Sequence, residues 1–195
     1  MAMAACLAAL LTLSVASCAP EPGASAPGDE SGQSSQSGGD AGSGGALDEN
    51  GYAIPGQVLE LKLGDSVAYY SFPNLSDEDV QRVTIHSFDY IEKADLPDNA
   101  PMDTMKNGVL VLSLSWENVE GKVQSNQSYV IATHASGEEG RPTAFMDDRL
   151  KNGRVDPRET RSGVFTIDIP RGKTTLTIVD YQGAPVARLQ IDTAA

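Results

Sequence analysis

The chain has 195 residues and a formal net charge of −13 at pH 7, with 27 acidic and 14 basic residues. This acidity argues against nucleic-acid binding, because contacts with phosphates need Lys and Arg. Apolar residues make up 40% of the chain and aromatic residues only 6%, which suffices for one core of modest size.

The N-terminus has the pattern of an export signal. The apolar run over residues 4–16 is too short to span a membrane, which takes about 20 residues, but it suits the hydrophobic part of a signal peptide over residues 1–17. Val15-Ala16-Ser17-Cys18 then resembles the lipobox of bacterial lipoproteins. This resemblance implies cleavage between Ser17 and Cys18 and attachment of lipid to the Cys18 thiol, where two or more acyl chains give a lasting membrane anchor. The alternative is a buried Cys18 that follows an apolar helix.

The segment after Cys18 predicts a disordered linker over residues 18–50. Residues 19–50 contain no aromatic residue and no Lys or Arg, and they consist mostly of Gly, Ser, Ala, Pro, Asp and Glu. Such a composition cannot bury enough apolar surface to offset the entropy of an ordered chain. The only other cysteine, Cys6, lies in the signal sequence, so the domain predicted for residues 51–195 has no disulfide, no Cys-ligated zinc and no thiol nucleophile.

Apolar residues alternate with polar ones along this domain, which indicates β-strands. Single helical turns are expected only near residues 76–79 and 146–150. Short strands separated by turn residues predict an all-β fold, an antiparallel sandwich. The predicted strands, in chain order, lie at residues 59–63, 67–72, 83–91, 110–116, 129–133, 165–169, 176–179 and 186–191.

Two longer segments carry a family resemblance. The strand of residues 109–118 ends in Glu117-Asn118, and that of residues 163–172 ends in Pro170-Arg171-Gly172. Over residues 80–192 this order resembles the immunoglobulin-like accessory domains of unknown function on Gram-positive surface lipoproteins. This sequence lacks the family's Pro-Gly-Glu before the late strand, and Val155-Asp156-Pro157-Arg158-Glu159 stands there instead. The resemblance implies an immunoglobulin-like sandwich that acts as an extracellular binding or assembly module, and it transfers no catalytic residue.

The sequence offers little for catalysis. His86 and His134 are the only histidines, and no nucleophile elbow, zinc-protease or phosphate-loop motif is present. Alternation places His86 mid-strand on the face of Thr84 and Phe88, as an ordinary sheet histidine. We therefore expect no enzyme activity and no cofactor. A concave pocket that holds His86 or His134 beside a carboxylate would be the feature that favours an enzyme instead.

Metal binding is the alternative function. Acidic residues crowd several predicted loops, and loop oxygens are the ligands that calcium prefers. Met102 and Met105, with the two histidines elsewhere, could instead take copper. Neither set completes a known spacing, so we assign no metal ligand, and a rise of the melting temperature with calcium or copper would reveal either site.

Basic residues are concentrated in one part of the chain. Residues 141–173 carry eight of the 14 basic side chains but only five acidic ones. We therefore consider Arg154, Arg158 and Arg161 as contacts for an anionic partner such as a cell-envelope polymer, lipid headgroups or an acidic surface protein, although a long surface loop also carries charge simply to stay solvated. The loops 92–107 and 136–163 are the expected contact surfaces. The sequence as a whole predicts a lipid-anchored protein on the extracellular face of a membrane.

Overall fold

The computed structural model describes residues 47–71, 79–121, 124–125, 130–151 and 153–195. The predicted signal sequence, Ser17, Cys18 and the linker up to residue 46 lie outside these residues, as does nearly all of the predicted helical turn at residues 76–79. No helix among the described residues is long and apolar enough to cross a membrane.

The described residues form eleven strands and one short 3-10 helix at Lys93–Asp95. Each of the eight predicted strands corresponds to one of them, and three short strands, β5, β7 and β8, are additional. The strands are β1 Leu59–Leu61, β2 Ser66–Tyr70, β3 Val80–Ile91, β4 Val109–Glu120, β5 Gln124–Ser125, β6 Val130–His134, β7 Arg141–Thr143, β8 Arg154–Val155, β9 Thr160–Asp168, β10 Lys173–Val179 and β11 Pro185–Asp192.

Two sheets form a β-sandwich. One has the strand order β2-β3-β4-β9-β7 and the other β1-β11-β10-β6. If the seven strands β3, β4, β6, β7, β9, β10 and β11 are labelled A to G in chain order, the sheets read ABED and CFG, which is the order of a constant-type immunoglobulin sandwich. These strands span residues 80–192, the range over which the family resemblance was drawn.

One edge of the four-stranded sheet departs from antiparallel order. β1 pairs with β11 in parallel, with Leu59 opposite Ala187 and Leu61 opposite Leu189. The alternation of apolar and polar residues in a strand does not show whether the neighbouring strand runs parallel or antiparallel to it. The sequence therefore could not predict this parallel pairing.

The core lies between the two sheets. On β4 every second residue from Leu110 to Trp116 is buried, as the alternation predicts. Trp116 lies in the centre of this core, and its indole Nε1 donates a hydrogen bond to Oε1 of the buried Gln81 at 2.8 Å. The inward-facing residues of β10 and β11 in the four-stranded sheet pack against these β4 residues and form the other side of the core.

A β-bulge at His86 reverses the alternation of β3. Ile85 is opposite Leu114 on β4 and Ser87 is opposite Ser113, so His86 has no residue opposite it. Ile85 and Phe88 therefore both turn toward the core, while His86 is exposed. The prediction that His86 shares a face with Phe88 is wrong for this reason.

A second, smaller cluster covers part of the outer face of the five-stranded sheet. Ala100, Met105, Val109 and Phe145 are buried there, with Leu96, Val111 and Met146 partly buried against them. The carboxylate of Asp168 on β9 accepts hydrogen bonds from the backbone amides of Lys106 and Asn107, both at 2.9 Å. Apolar residues of the loops 92–107 and 136–163, which were expected to be contact surfaces, thus pack on the outer face of this sheet.

The segment near residues 146–150 is not helical. Asp147 and Asp148 form a single turn, which the Arg149 amide closes on the Met146 carbonyl at 3.4 Å, and Arg149 then forms a parallel bridge with Val164 on β9. The backbone hydrogen bonds from Val164 to Asp148 and from Leu150 to Val164 take the place of a helical turn.

The last residues of the predicted linker, from Leu47 onward, are attached to the five-stranded sheet. Leu47 bridges Ala53, and the Asp48 carboxylate accepts hydrogen bonds from the Tyr52 amide at 2.8 Å and the Tyr70 hydroxyl at 2.9 Å. The Tyr52 and Tyr70 rings meet edge-on, with centroids 5.4 Å apart. The Tyr52 hydroxyl donates to Glu120 at 2.9 Å, and this hydrogen bond raises the pKa of Tyr52.

Candidate functional site

The three arginines considered as anion contacts lie close together in the chain but have different surroundings. Arg154 lies on β8 and Arg158 in the following turn, and both are exposed. No hydrogen bond joins either guanidinium to a residue that the structure describes. Arg161 on β9 differs, because its guanidinium Nε donates to Glu159 at 3.1 Å and its Nη2 donates to the carbonyl of Arg154. Arg161 therefore has partners within the protein, whereas Arg154 and Arg158 face solvent.

Arg158 occupies an unusual backbone position. The Glu159 amide donates to the Asp156 carbonyl at 3.0 Å, which closes a turn with Pro157 in its second position and Arg158 in its third. The φ angle of Arg158 is +67°, the only positive value of a non-glycine residue in the described chain. This is the conformation that a type II turn requires at its third position, where glycine is favoured.

Glu159 holds this turn together. Its carboxylate accepts hydrogen bonds from the Asp156 amide at 2.9 Å and from Arg161. The Asp156 amide first and the Arg161 guanidinium second lower the pKa of Glu159, so this carboxylate is charged at neutral pH. Arg161 thereby positions the turn that presents Arg158.

A cavity of about 550 Å³ opens beside β9. We call it the basic pocket, because three cationic residues line it. It is built from Arg149, Lys151 and Arg161 together with Asp147, Asp148, Leu150 and Ser162. The exposed Arg149 donates one hydrogen bond, from Nη1 to the carbonyl of Ala144 at 3.3 Å. The pocket thus joins residues from two parts of the basic segment that are about ten positions apart in the chain.

Gly163 makes this pocket possible. A Cβ atom at Gly163 would lie 2.6 Å from the Leu150 amide nitrogen and 2.7 Å from its Cα, which is closer than real contacts allow. Because glycine lacks that atom, the backbone of residues 148–150 lies directly against β9 and places Arg149 and Lys151 beside Ser162. The sequence contains Gly163, but it does not show which backbone segment packs against this residue.

The two histidines do not come together. His86 lies on β3 in the five-stranded sheet, where its Nε2 is 2.9 Å from the Ser115 hydroxyl. His134 ends β6 in the other sheet, where its Nδ1 is 2.8 Å from the Ser136 hydroxyl. Neither has a carboxylate among the hydrogen-bond partners recorded for it in the described chain.

The residues weighed as metal ligands are also dispersed. Among the described residues, no group of three or more His, Cys, Asp or Glu side chains could hold a metal ion. Met105 is buried in the second cluster, while Met102 is 38% exposed. The two methionines therefore face different surroundings, and of the two only Met105 belongs to the second cluster.

A second cavity, of about 450 Å³, was not anticipated from the sequence. It lies at one end of the four-stranded sheet and is lined by His134, Lys173 and Asp192 with the outward-facing Thr133, Thr175 and Gln190. Lys173 and Asp192 are opposite each other on β10 and β11. Only the register of three strands brings these residues together, and alternation alone does not give that register.

No family model and no curated protein matches the chain. Among solved structures, the fold is similar to that of MPT63, a secreted protein from Mycobacterium tuberculosis, with a TM-score of 0.53 and 14% identity over 69% of this chain and 98% of that one.

Two proteins from Bacillus subtilis are also similar. One is the candidate lipoprotein ycdA, with a TM-score of 0.46 and 15% identity over 62% of this chain and 38% of that one. The other is the yjhA protein, with a TM-score of 0.41 and 15% identity over 63% of this chain and 83% of that one. At these identities the likeness concerns the fold alone, and the class of this protein is an all-β sandwich.

Proposed function

We propose that this protein is a lipid-anchored extracellular lipoprotein of bacteria, and that its sandwich is a non-enzymatic module that binds an anionic component of the cell envelope. The anchor is the lipid on Cys18, and residues 19–46 form a spacer between the membrane and the domain. The contact surface consists of the basic pocket with the neighbouring Arg154 and Arg158.

The anchor rests on the sequence. Small residues precede Cys18 after an apolar run of signal-peptide length, which is the pattern that the lipoprotein peptidase and acyltransferase require. The spacer composition keeps the chain solvated and extended. A similar fold in a secreted mycobacterial protein is compatible with a place outside the cell.

The observation that carries the binding function is a basic surface on a strongly acidic protein. The chain has a net charge of −13. The connection between β7 and β9, which includes the short strand β8, nevertheless carries four basic residues, Arg149, Lys151, Arg154 and Arg158. Because the remaining surface repels anions, an anionic polymer would be directed to this region. The exposed guanidinium groups of Arg154 and Arg158 can donate paired hydrogen bonds to a phosphate or carboxylate.

Charge reversal tests the binding surface. The full chain carrying Arg149→Glu, Lys151→Glu and Arg154→Glu should bind the envelope fraction of the producing cell at least tenfold more weakly than the wild type at low salt. The matched control carries Lys62→Glu, Lys173→Glu and Arg188→Glu, which change the net charge equally on the four-stranded sheet and its flank. Equal losses in both variants, or no loss in the first, would overturn the proposed surface.

The anchor has its own test. Mass spectrometry of the mature polypeptide should find acyl chains on Cys18 as the first residue, and the Cys18→Ala variant should leave the membrane fraction. An unmodified thiol at Cys18, or a wild-type chain dissolved in the cytosol, would contradict the anchor without bearing on the binding surface.

A further inference from the structure

The outer face of the five-stranded sheet has two unlike halves. One half is apolar and lies under the second cluster, around Val109 and Phe145. The other half carries hydroxyl side chains. We call it the hydroxyl face and define it by Ser66, Thr84, Ser87, Ser113, Ser115, Thr160 and Ser162.

Strand register aligns four of these residues in one row. Ser66 on β2 is opposite Thr84 on β3, Thr84 is opposite Ser115 on β4, and Ser115 is opposite Ser162 on β9. Residues opposite each other in a ladder point to the same side of the sheet. The row therefore presents four hydroxyl groups across four strands over about 14 Å, at the usual strand spacing. Ser87 and Ser113 form a second pair beside it.

Three of the four hydroxyl groups in the row have a hydrogen-bond partner within the protein, and each of them keeps an unused acceptor lone pair. Ser66 and Thr84 share a hydrogen bond of 2.7 Å, and Ser115 is bonded to His86. No described residue forms a recorded hydrogen bond with the Ser113 or Ser162 hydroxyl. Ser66 and Ser162 are exposed, and Thr84, Ser113 and Ser115 are half-buried. The row can therefore donate and accept hydrogen bonds with a molecule that lies across it.

The outer face of the four-stranded sheet carries more charged residues than the hydroxyl face. The outward positions of β1, β10 and β11 include the charged residues Glu60, Lys173, Arg188 and Asp192. Beside the hydroxyl face, Arg82 and Glu117 neutralise each other in an ion pair of 2.6 Å, and the exposed Asp89 lies on the same side of β3, where the face borders the apolar half. The four-stranded sheet also carries the outward threonines Thr133, Thr175 and Thr177, so the hydroxyl face is distinguished by its row across four strands and by its junction with the basic pocket.

Ser162 connects the hydroxyl face to the basic pocket. It is the last residue of the row on β9, and it also lines the basic pocket beside Arg149 and Lys151. The two features therefore form one continuous surface, which is rich in hydroxyl groups along the row and carries Arg149 and Lys151 beside Asp147 and Asp148 at its end.

We propose that this surface binds an anionic polysaccharide lying across the strands, from Ser66 on β2 to the basic pocket beside β9. The hydroxyl row exchanges hydrogen bonds with sugar hydroxyls, and Arg149 and Lys151 bind the carboxylate or phosphate groups of the chain. This inference rests on the proposed function and names its ligand class. Lipid headgroups or an acidic protein would need the cations but would leave the hydroxyl row unused.

The test uses the full chain and three polymers. Polygalacturonate is an anionic polysaccharide, dextran is a neutral one, and polyphosphate is anionic without sugars. The hydroxyl variant carries Thr84→Val, Ser113→Ala and Ser162→Ala, and the matched control carries Thr133→Val, Thr175→Val and Thr177→Val on the four-stranded sheet. Melting temperatures verify that both variants are folded, and Ser162→Ala alone serves if the triple variant is not.

We expect the wild type to bind polygalacturonate more tightly than dextran or polyphosphate. The hydroxyl variant should lose at least tenfold in affinity for polygalacturonate, while its affinity for polyphosphate and the affinities of the control variant stay within twofold of the wild type. An unchanged affinity of the hydroxyl variant for polygalacturonate would overturn this inference, as would equal binding of polyphosphate.

The two proposals fail differently. If charge reversal in the basic pocket weakens envelope binding but the hydroxyl variant behaves as the wild type, the basic surface stands and the polysaccharide is wrong. If charge reversal has no effect on envelope binding, the proposed surface itself is wrong.

Discussion

At the scale of single residues, Arg158 combines an exposed guanidinium with a backbone conformation that favours glycine. Its φ of +67° places the Cβ atom against the following carbonyl, which costs an ordinary residue about 1 kcal/mol or more. The Arg158 amide donates to the Asn118 carbonyl at 2.7 Å, and this contact helps to hold the conformation. The strain is compensated by the surrounding turn.

We predict that Arg158→Gly increases the free energy of unfolding by about 1 kcal/mol relative to Arg158→Ala. Both substitutions remove the same charge, but only glycine relieves the strain at positive φ. Urea unfolding of the two variants measures the difference. Equal stabilities would show that the backbone of Arg158 is not strained, and the proposed surface predicts that both variants bind the envelope more weakly than the wild type.

Some residue-scale features follow from the sequence and others do not. The inward positions of Leu110, Leu112, Leu114 and Trp116 could be predicted, because one strand alternates without interruption over that stretch. The bulge at His86 could not, because it exists only through the pairing of β3 with β4. The ion pair of Arg161 with Glu159 likewise depends on a turn whose geometry composition does not give.

At the scale of elements, Asn118 joins β4 to the connection that carries the arginines. Asn118 is fully buried, and its side-chain amide donates to the Val155 carbonyl at 3.1 Å. Its backbone amide donates to the Glu159 carbonyl at 3.1 Å. The Glu117-Asn118 pair that carried the family resemblance thus has a structural role, since it fastens the segment 155–159 to the sheet.

We predict that Asn118→Ala lowers the free energy of unfolding by about 2 kcal/mol, because it leaves a buried carbonyl without its partner. Trypsin should also cleave after Arg154 and Arg158 faster than in the wild type. The neighbouring Glu117→Ala is the control, because it removes only a partly exposed ion pair with Arg82, and we expect less than about 1 kcal/mol from it. Similar effects of both substitutions would argue against this role for Asn118.

The long strands could be predicted, because each buries one face and so alternates over several residues. β5, β7 and β8 have two or three residues each, too few to show an alternation of apolar and polar residues. They exist only through their pairing, β5 with β8 and β7 with β9. The basic pocket could be anticipated as a concentration of charge, but not as a cavity, since it depends on the approach of residues 148–150 to Gly163. The hydroxyl row depends on the register of four strands in the same way.

At the scale of the whole molecule, two exposed carboxylates tie peripheral segments to the sandwich. Hydrogen bonds from the backbone, above all from the Tyr52 amide, lower the pKa of Asp48, as the Asp156 amide does for Glu159. A carboxylate with a lowered pKa stabilises the folded state above its ordinary pKa of about 4, and that contribution is lost as the pH falls further.

We therefore predict that the wild type loses more stability between pH 7 and pH 3 than a variant carrying Asp48→Asn and Glu159→Gln. The amide side chains keep most of the hydrogen-bond acceptors but do not titrate. Free energies of unfolding from urea titrations at the two pH values give the comparison, and parallel losses in both proteins would contradict it.

The parallel pairing of β1 with β11 also has a kinetic consequence. β11 is the last strand of the described chain, and it lies between β1 and β10 in its sheet. Leu59 can therefore pair with Ala187 only after the strands between them, β2 to β10, and β11 itself have been synthesised. Contacts between residues so distant in the chain make folding slow, which would leave the chain unfolded long enough for the export that we propose.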